Sequence, residues 1–185
     1  MSTSQEDLRR IALTEFANAG YSATSLQHIA ELAGLSKASV LYHYGSKEAL
    51  LDAAIGPAID RMAAILEPLR SSGLRGEGRQ AFLEEFVDFL LQYRLEVHIF
   101  INQGPSLVDV PVIDRANGLV LLLTEFFSTH TSSVEEKMRF GVALGGAAFM
   151  LGTAHNRGLD VPPIDETRAA LVTILSELLT PVRIP

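Results

Sequence analysis

The chain has 185 residues, a formal net charge of −7 and no cysteine, with 48% hydrophobic and 20% charged residues. This balance argues against disorder, and the acidic charge argues against non-specific coating of nucleic acid, so any DNA contact must come from a local patch. The missing cysteines exclude disulfides and thiolate chemistry, and a start without a basic, apolar leader predicts a cytoplasmic location.

The predicted fold class is all-α, because apolar residues recur at helical spacing and no run alternates as a β-strand does. A first helix ends at Gly20. Ser25 and Ser36 occupy the N-cap positions of two short helices, and Gly34 lies between these helices. Three helices of this kind predict an N-terminal helix-turn-helix DNA-binding domain, which we assign to residues 1–46.

A longer helix is expected from about residue 47 to residue 69, with a kink at Gly56-Pro57 because proline lacks an amide donor and clashes with the preceding turn. The small residues of 71–78 predict a linker. We therefore assign residues 47–75 to a connecting helix and linker, and residues 76–185 to a larger effector-binding and dimerisation domain.

The second short helix is more polar than a helix of a small bundle core should be. In a helix-turn-helix the second helix enters the major groove and its first turns face base edges. Here the expected exposed side carries Lys37, Ser39, Tyr42 and His43. The alternative is an ordinary helical hairpin, whose short helices would be dominated by apolar contacts.

Residues 8–51 resemble the DNA-binding domain of the TetR (tetracycline-repressor-like) family of bacterial transcriptional regulators. The resemblance rests on Phe16, Gly20, the block "IA..AG.SK" that ends at Lys37, and "YHY.SKEAL". It covers the first quarter of the chain, and the remainder agrees only in length and helical layout. It implies a homodimeric, ligand-responsive repressor on a double-stranded DNA operator, with no cofactor and no enzymatic activity.

Candidate DNA contacts lie at helix starts and along the second short helix. Lys47 begins the long helix, where amide groups and the helix dipole favour a phosphate, and in the TetR family the matching lysine touches the DNA backbone. Lys37 to Ser39 are expected at base edges, and His43 either at a phosphate or as a helix cap. The full predicted set is Ser25, Gln27, Ser36, Lys37, Ala38, Ser39, Tyr42, His43 and Lys47.

The sequence departs from the TetR pattern at Leu41, where the family usually carries a tyrosine. We expect Leu41 to pack inward with Val40 and Tyr44, and Tyr42 to face DNA. Residues 1–50 hold four basic and five acidic residues, a net charge of −1. Such a module should bind with a shallow salt dependence and rely on two paired half-sites.

The larger half combines aromatic residues with scattered polar groups, a composition typical of an apolar effector pocket, although core packing is the alternative for each aromatic. His155 and Asn156 are among these scattered polar residues. Neither His98 nor His155 has a neighbouring partner at metal-ligand spacing, so no metal site is predicted. The predicted ligand-binding residues are Phe86, Phe89, Tyr93, His98, Phe100, Gln103, Phe126 and Phe149.

A stripe of small and apolar residues on the last two helices is the predicted dimer interface, since the TetR family pairs these helices across a two-fold axis; packing within one chain is the alternative. Its residues are Ala143, Gly146, Ala147, Met150, Ala154, Val172, Leu175 and Leu179. Residues 140–156 are uncharged but too short to span a bilayer, which takes about 20 apolar residues, so no membrane partner is expected.

Two functions follow as hypotheses. The first is a ligand-responsive DNA-binding regulator, either a repressor or an activator, with a small hydrophobic or aromatic effector. The second is a helical small-molecule-binding or catalytic protein without regulatory DNA binding. No catalytic motif supports an enzyme.

Overall fold

The computed structural model of the protein describes residues 5–71, 77–154 and 162–180. Every regular element in these ranges is helical, which confirms the predicted all-α fold. A 3-10 turn at Gly104–Ser106 follows α6, and a π-helical turn at Gly141–Gly145 joins α8 to α9. The α-helices are α1 (Gln5–Ala19), α2 (Leu26–Leu32), α3 (Lys37–Tyr44), α4 (Lys47–Ser71), α5 (Glu77–Gln92), α6 (Arg94–Gln103), α7 (Pro111–His130), α8 (Val134–Phe140), α9 (Gly146–Ala154) and α10 (Ile164–Leu179).

The two short helices begin at the caps expected from the sequence. The Ser25 hydroxyl accepts a hydrogen bond from the His28 amide at 3.0 Å. The Ser36 hydroxyl accepts one from the Ser39 amide at 3.1 Å. Gly34, between the helices, has a φ of 67°, a backbone conformation that side chains with a Cβ rarely adopt. Local chemistry therefore places α2 and α3 as a helix-turn-helix.

The first hydrophobic core lies beneath α1, α2 and α3 and continues into later helices. Phe16, Ile29 and Val40 are fully buried in this core. Leu50 of α4 and Ile99 of α6 belong to the same core and are also fully buried. The N-terminal helices therefore pack directly on α4 and α6.

Helix α4 contributes to both cores of the protein. Leu51 and Ala54 pack into the first core, whereas Ile65 and Leu66 pack into a second core with α5, α9 and α10. The helix runs without a break past Pro57. The domain divisions after residues 46 and 75 and the kink stay predictions.

Helices α6 and α9 pack closely because Gly152 has no side chain. A Cβ built on Gly152 would lie 3.1 Å from a methyl group of Val97 and 3.1 Å from one of Ile101. The Gly152 carbonyl oxygen lies 2.6 Å from Nδ1 of His98, a buried hydrogen bond between the two helices. Gly118 of α7 differs, since a Cβ there would meet nothing within 4 Å.

We expect Gly152→Ala and Gly118→Ala to have different effects on stability. Both replace a helical glycine, but only Gly152→Ala crowds the contact between α6 and α9. Gly118→Ala should raise the free energy of unfolding by up to about 1 kcal/mol. The free energy of unfolding of Gly152→Ala should be lower than that of Gly118→Ala by about 1–3 kcal/mol. Urea unfolding at one fixed protein concentration measures the difference, and equal midpoints would contradict the tight contact.

Candidate nucleic-acid interface and ligand cavity

The solvent-facing side of α3 carries the residues predicted to read DNA. Lys37, Ala38 and His43 are exposed and Ser39 is half-buried. Tyr42 is 87% exposed, and its ring contacts the His43 ring edge-on with 5.6 Å between centroids. An aromatic side chain left this exposed on a short polar helix is available to a partner surface.

The expectation that Leu41 packs inward is wrong. Leu41 is 37% exposed, whereas Val40 is fully buried and occupies the inward position. Successive side chains on a helix point about 100° apart, and in α3 the inward direction falls on Val40 while Leu41 points toward solvent. Tyr44 is half-buried as expected, and its hydroxyl donates to the Gln5 carbonyl oxygen at 2.7 Å.

The start of α4 holds Lys47 in a defined position. The Ser46 hydroxyl accepts a hydrogen bond from the Ala49 amide at 2.9 Å and so caps the helix. The Lys47 Nζ lies 4.3 Å from the centre of the Tyr21 ring, within the range of a cation–π contact. Partial burial lowers the pKa of Lys47. Lys47 is therefore an oriented cation at a helix N-terminus, where phosphate binding is favoured.

The remaining predicted DNA contacts are engaged in local hydrogen bonds. The Gln27 amide donates to Glu31 Oε1 at 2.8 Å along α2, and the Ser36 hydroxyl lies 2.9 Å from the Ser39 hydroxyl. All of these side chains except that of Ser39 are exposed, so the bonds leave them open to solvent. Their contact with DNA stays a prediction.

An apolar cavity of about 520 Å³ lies among α4, α5, α6, α7 and α8, within the usual size range of small-molecule sites. Phe86, Phe89 and Phe100 of the predicted ligand-binding set line it. Sequence reasoning missed the walls that α4 and α7 supply. These walls include Ile55, Ile59, Met62, Leu119, Leu123 and Phe127.

Five predicted ligand-binding residues lie away from this cavity, and their contact with a ligand stays a prediction. His98 is buried against α9, and Tyr93 packs on Phe89 with 5.2 Å between ring centroids. The Phe126 ring stacks on the His130 ring at 4.4 Å between centroids. Phe149 is 53% exposed on the outer side of α9. The fifth, Gln103, hydrogen-bonds to the N-terminal helices, as described below.

Glu96 is a lining residue of the cavity that the sequence did not single out. It lies in the first turn of α6 and is half-buried. Burial raises its pKa, while its own backbone amide and the charge of Arg9 act in the opposite direction. The sequence gives no signal that Glu96 lines a cavity, because acidic residues are common in the first turn of any helix.

Gln103 joins the end of α6 to the N-terminal domain. Its amide nitrogen donates to the Phe16 carbonyl oxygen at 2.7 Å, and its Oε1 accepts from the Tyr21 amide at 2.7 Å. The same Tyr21 supplies the ring beneath Lys47. One side chain thus connects a cavity-lining helix with the residue that orients a predicted phosphate contact.

Four of the eight residues in the predicted dimer stripe are buried within the chain itself, and the rest of the stripe stays a prediction. Ala143, Ala147, Leu175 and Leu179 are buried in the core of the chain itself, and Val172 packs half-buried against that core. Only Gly146 and Met150 of the predicted stripe are exposed; the side chain of Ala154 and residues 155 and 156 lie outside the described set. The exposed apolar residues of this region include Val142, Phe149, Met150 and Ile174.

Neither a metal centre nor a membrane span is found within the described ranges. Residues 5–71, 77–154 and 162–180 contain no group of three or more histidine, aspartate or glutamate side chains that could hold a metal ion. In the same ranges no helix has both the length and the hydropathy needed to cross a membrane.

Residues 9–54 match the family model described as "Bacterial regulatory proteins, tetR family". This N-terminal segment is therefore similar to tetR family regulators. This confirms the resemblance seen in the N-terminal motifs, and the matched residues include α2, α3 and the start of α4.

Two curated relatives are named as transcriptional regulators. The "HTH-type transcriptional regulator RutR" of Escherichia coli (strain K12) is 39% identical over 137 residues, 74% of this chain and 59% of that protein. The "Uncharacterized HTH-type transcriptional regulator YerO" of Bacillus subtilis is 32% identical over 93 residues, 48% of this chain and 32% of that protein. The matches span less than two thirds of these relatives.

Solved structures show the same fold at low identity. The ketosteroid transcriptional regulator KstR2 of Mycobacterium tuberculosis superposes with a TM-score of 0.71 and 16% identity, covering 100% of this chain and 98% of that one. The TetR family regulator PfmR of Thermus thermophilus has a TM-score of 0.65 and 22% identity, covering 91% and 96%. At these identities the similarity concerns the fold alone.

We expect the hydroxyls of Tyr42 and Tyr44 to have separable roles. Tyr44→Phe removes the hydrogen bond to Gln5 and should lower the free energy of unfolding by about 0.5–1.5 kcal/mol without weakening DNA binding. Tyr42→Phe should leave stability within about 0.5 kcal/mol and weaken binding to duplex DNA by about two- to tenfold. Urea unfolding and fluorescence anisotropy measure the two effects, and an unchanged DNA affinity in Tyr42→Phe would exclude a DNA contact through the Tyr42 hydroxyl.

Proposed function

We propose that the protein is a transcriptional repressor that binds a palindromic operator as a homodimer and is released by a small hydrophobic or aromatic effector. Two features together carry this proposal. Helix α3 is exposed and polar beside Lys47, and an apolar cavity lies among α4 to α8. The match of residues 9–54 to the tetR family model supports the same function.

DNA recognition is assigned to α3 and the helix starts beside it. Lys37 can donate to guanine, Ala38 can contact a thymine methyl group, and Ser39 tolerates several bases. Lys47 and Tyr42 suit phosphate contacts, which position the protein without reading sequence. With few cations in the N-terminal segment, tight binding requires two copies of this interface on one DNA.

Dimerisation is assigned to the exposed apolar face of the π-helical turn, α9 and α10. Phe149 and Met150 are 53% and 51% exposed, and Val142 and Ile174 are 62% and 50% exposed. Gly146 adds no side chain between them, so a second helix can approach closely. A two-fold axis through this face would present two copies of α3 to one palindrome.

Release by an effector is assigned to α6. Val97, Phe100 and Ile101 of this helix line the cavity, and the helix ends at Gln103. An effector that displaces α6 would pull on Tyr21 through the Gln103 bond, and Tyr21 carries the ring beneath Lys47. The coupling therefore acts on the position of a phosphate contact, and through the shared core on α3.

Selection of bound DNA from a random duplex pool tests this function. We expect a palindrome whose half-site centres lie about one helical turn apart. A Phe149→Asp, Met150→Asp double variant, which places charges on the proposed dimer face, should select single half-sites with weaker binding. Failure to enrich any sequence would favour the alternative, a helical small-molecule-binding or catalytic protein without regulatory DNA binding.

We expect Gln103→Met to weaken operator binding in the absence of any effector. The substitution keeps the length of the side chain but removes both hydrogen bonds to the N-terminal domain, so Tyr21 and Lys47 lose their fixed position. Affinity for the selected operator should fall by up to about tenfold, the size expected for an unsatisfied amide. Anisotropy titration measures the change.

Gln92→Met, at the exposed end of α5, is the matched control and should bind the operator as the unmodified protein does. Circular dichroism should show the same helix content for both variants. Equal operator affinity of Gln103→Met and Gln92→Met would exclude Gln103 as the connection.

A further inference from the structure

The cavity is apolar except at a few positions, and these positions differ in their surroundings. Of the described residues that line it, only Glu96 and Lys137 carry charge. Lys137 is exposed on α8, whereas Glu96 is half-buried at the start of α6. A hydrated surface ammonium contributes little to ligand binding, so Glu96 dominates the electrostatics of the inner wall.

Within the described part of the chain no salt bridge engages Glu96. The cation that acts on it is Arg9 of α1. The Arg9 guanidinium is already held by both carboxylate oxygens of Glu6, at 2.5 and 3.1 Å. Arg9 therefore offers Glu96 long-range charge without a direct bond.

A carboxylate in apolar surroundings is costly in its charged form unless a cation or hydrogen-bond donors reach it. Burial accordingly raises the pKa of Glu96. Either a proton or a cationic group of a ligand relieves this cost. Aromatic rings nearby add to the attraction of a cation, because a ring face attracts positive charge. Phe86, Phe89, Phe100 and Phe127 line the same cavity.

We propose that the effector carries one protonated amine on an apolar or aromatic body, and that the Glu96 carboxylate binds this amine inside the cavity. This inference rests on the proposed function, because it names the chemical class of the effector for the same cavity.

Three compounds of one shape and different charge test the proposal. They are para-biphenylmethylamine, para-biphenylmethanol and para-biphenylcarboxylate, titrated into the full-length protein by calorimetry at neutral pH. We expect the amine to bind about tenfold or more tightly than the alcohol, the factor that a charge-assisted hydrogen bond supplies. The carboxylate should bind more weakly than the alcohol, since it meets Glu96 as a like charge.

Glu96→Gln keeps the side-chain shape and removes the charge. It should abolish the preference for the amine and leave the affinity for the alcohol within about twofold, as expected when only the charge-assisted bond is lost. Glu125→Gln is the matched control, since Glu125 is exposed on α7 outside the lining, and it should keep the preference. The comparison of the three compounds on the unmodified protein requires no variant to fold.

The possible failures are distinguishable from a failure of the proposed function. Absence of amine binding, or equal binding of amine and alcohol, overturns the inference. Strongest binding of the carboxylate, lost in Lys137→Gln, also overturns it and assigns the cavity to anions. In each case enrichment of a palindrome still supports the regulator. Binding of the amine through Glu96 without any selected operator would instead retain the amine site and reject the regulator.

Discussion

Helix α6 is the element on which the rest of the structure depends, because its buried residues belong to both hydrophobic cores. Ile99 packs with the helix-turn-helix core, and Val97 packs with the core of the larger half. Gln103 adds two hydrogen bonds to the end of α1 and the turn after it. A close-packed interior transmits displacements, so α6 cannot move toward or away from the cavity without affecting the N-terminal helices.

The N-terminal helices hold few basic residues, and the structure fixes the position of one of them, Lys47 at the start of α4. Lys47 is held over Tyr21 instead of extending freely into solvent, which reduces the entropy that a phosphate contact would cost. The net acidity of the chain keeps non-specific attraction to DNA low. Under the proposed function, the affinity for DNA depends on the relative position of two paired copies of α3. Small shifts of α3 should therefore have large effects on DNA binding.

Small residues in the last helices correctly predict close helix packing, but the neighbouring helix belongs to the same chain and not to a second copy. Ala143 and Ala147 are predicted at a dimer interface, yet they let the π-helical turn and α9 pack within their own chain, as Gly152 does against α6. Helix–helix approach looks the same in sequence whether the neighbour is in the same chain or in another. Phe149 is predicted as a pocket residue because it is aromatic, but its side chain is exposed to solvent on α9.

Local signals were sufficient for the all-α class and for the helix-turn-helix, because caps such as Ser25 and Ser36 and the turn glycine act over only a few residues. The polar face of α3, with Tyr42 outward and Val40 inward, also follows from helical periodicity, although the exposure of Leu41 did not. Long-range packing decided which aromatic side chains surround the cavity, that Glu96 lies in its wall, and that Gln103 bonds to α1. These depend on which helices become neighbours, and periodicity within one helix carries no information about its neighbours.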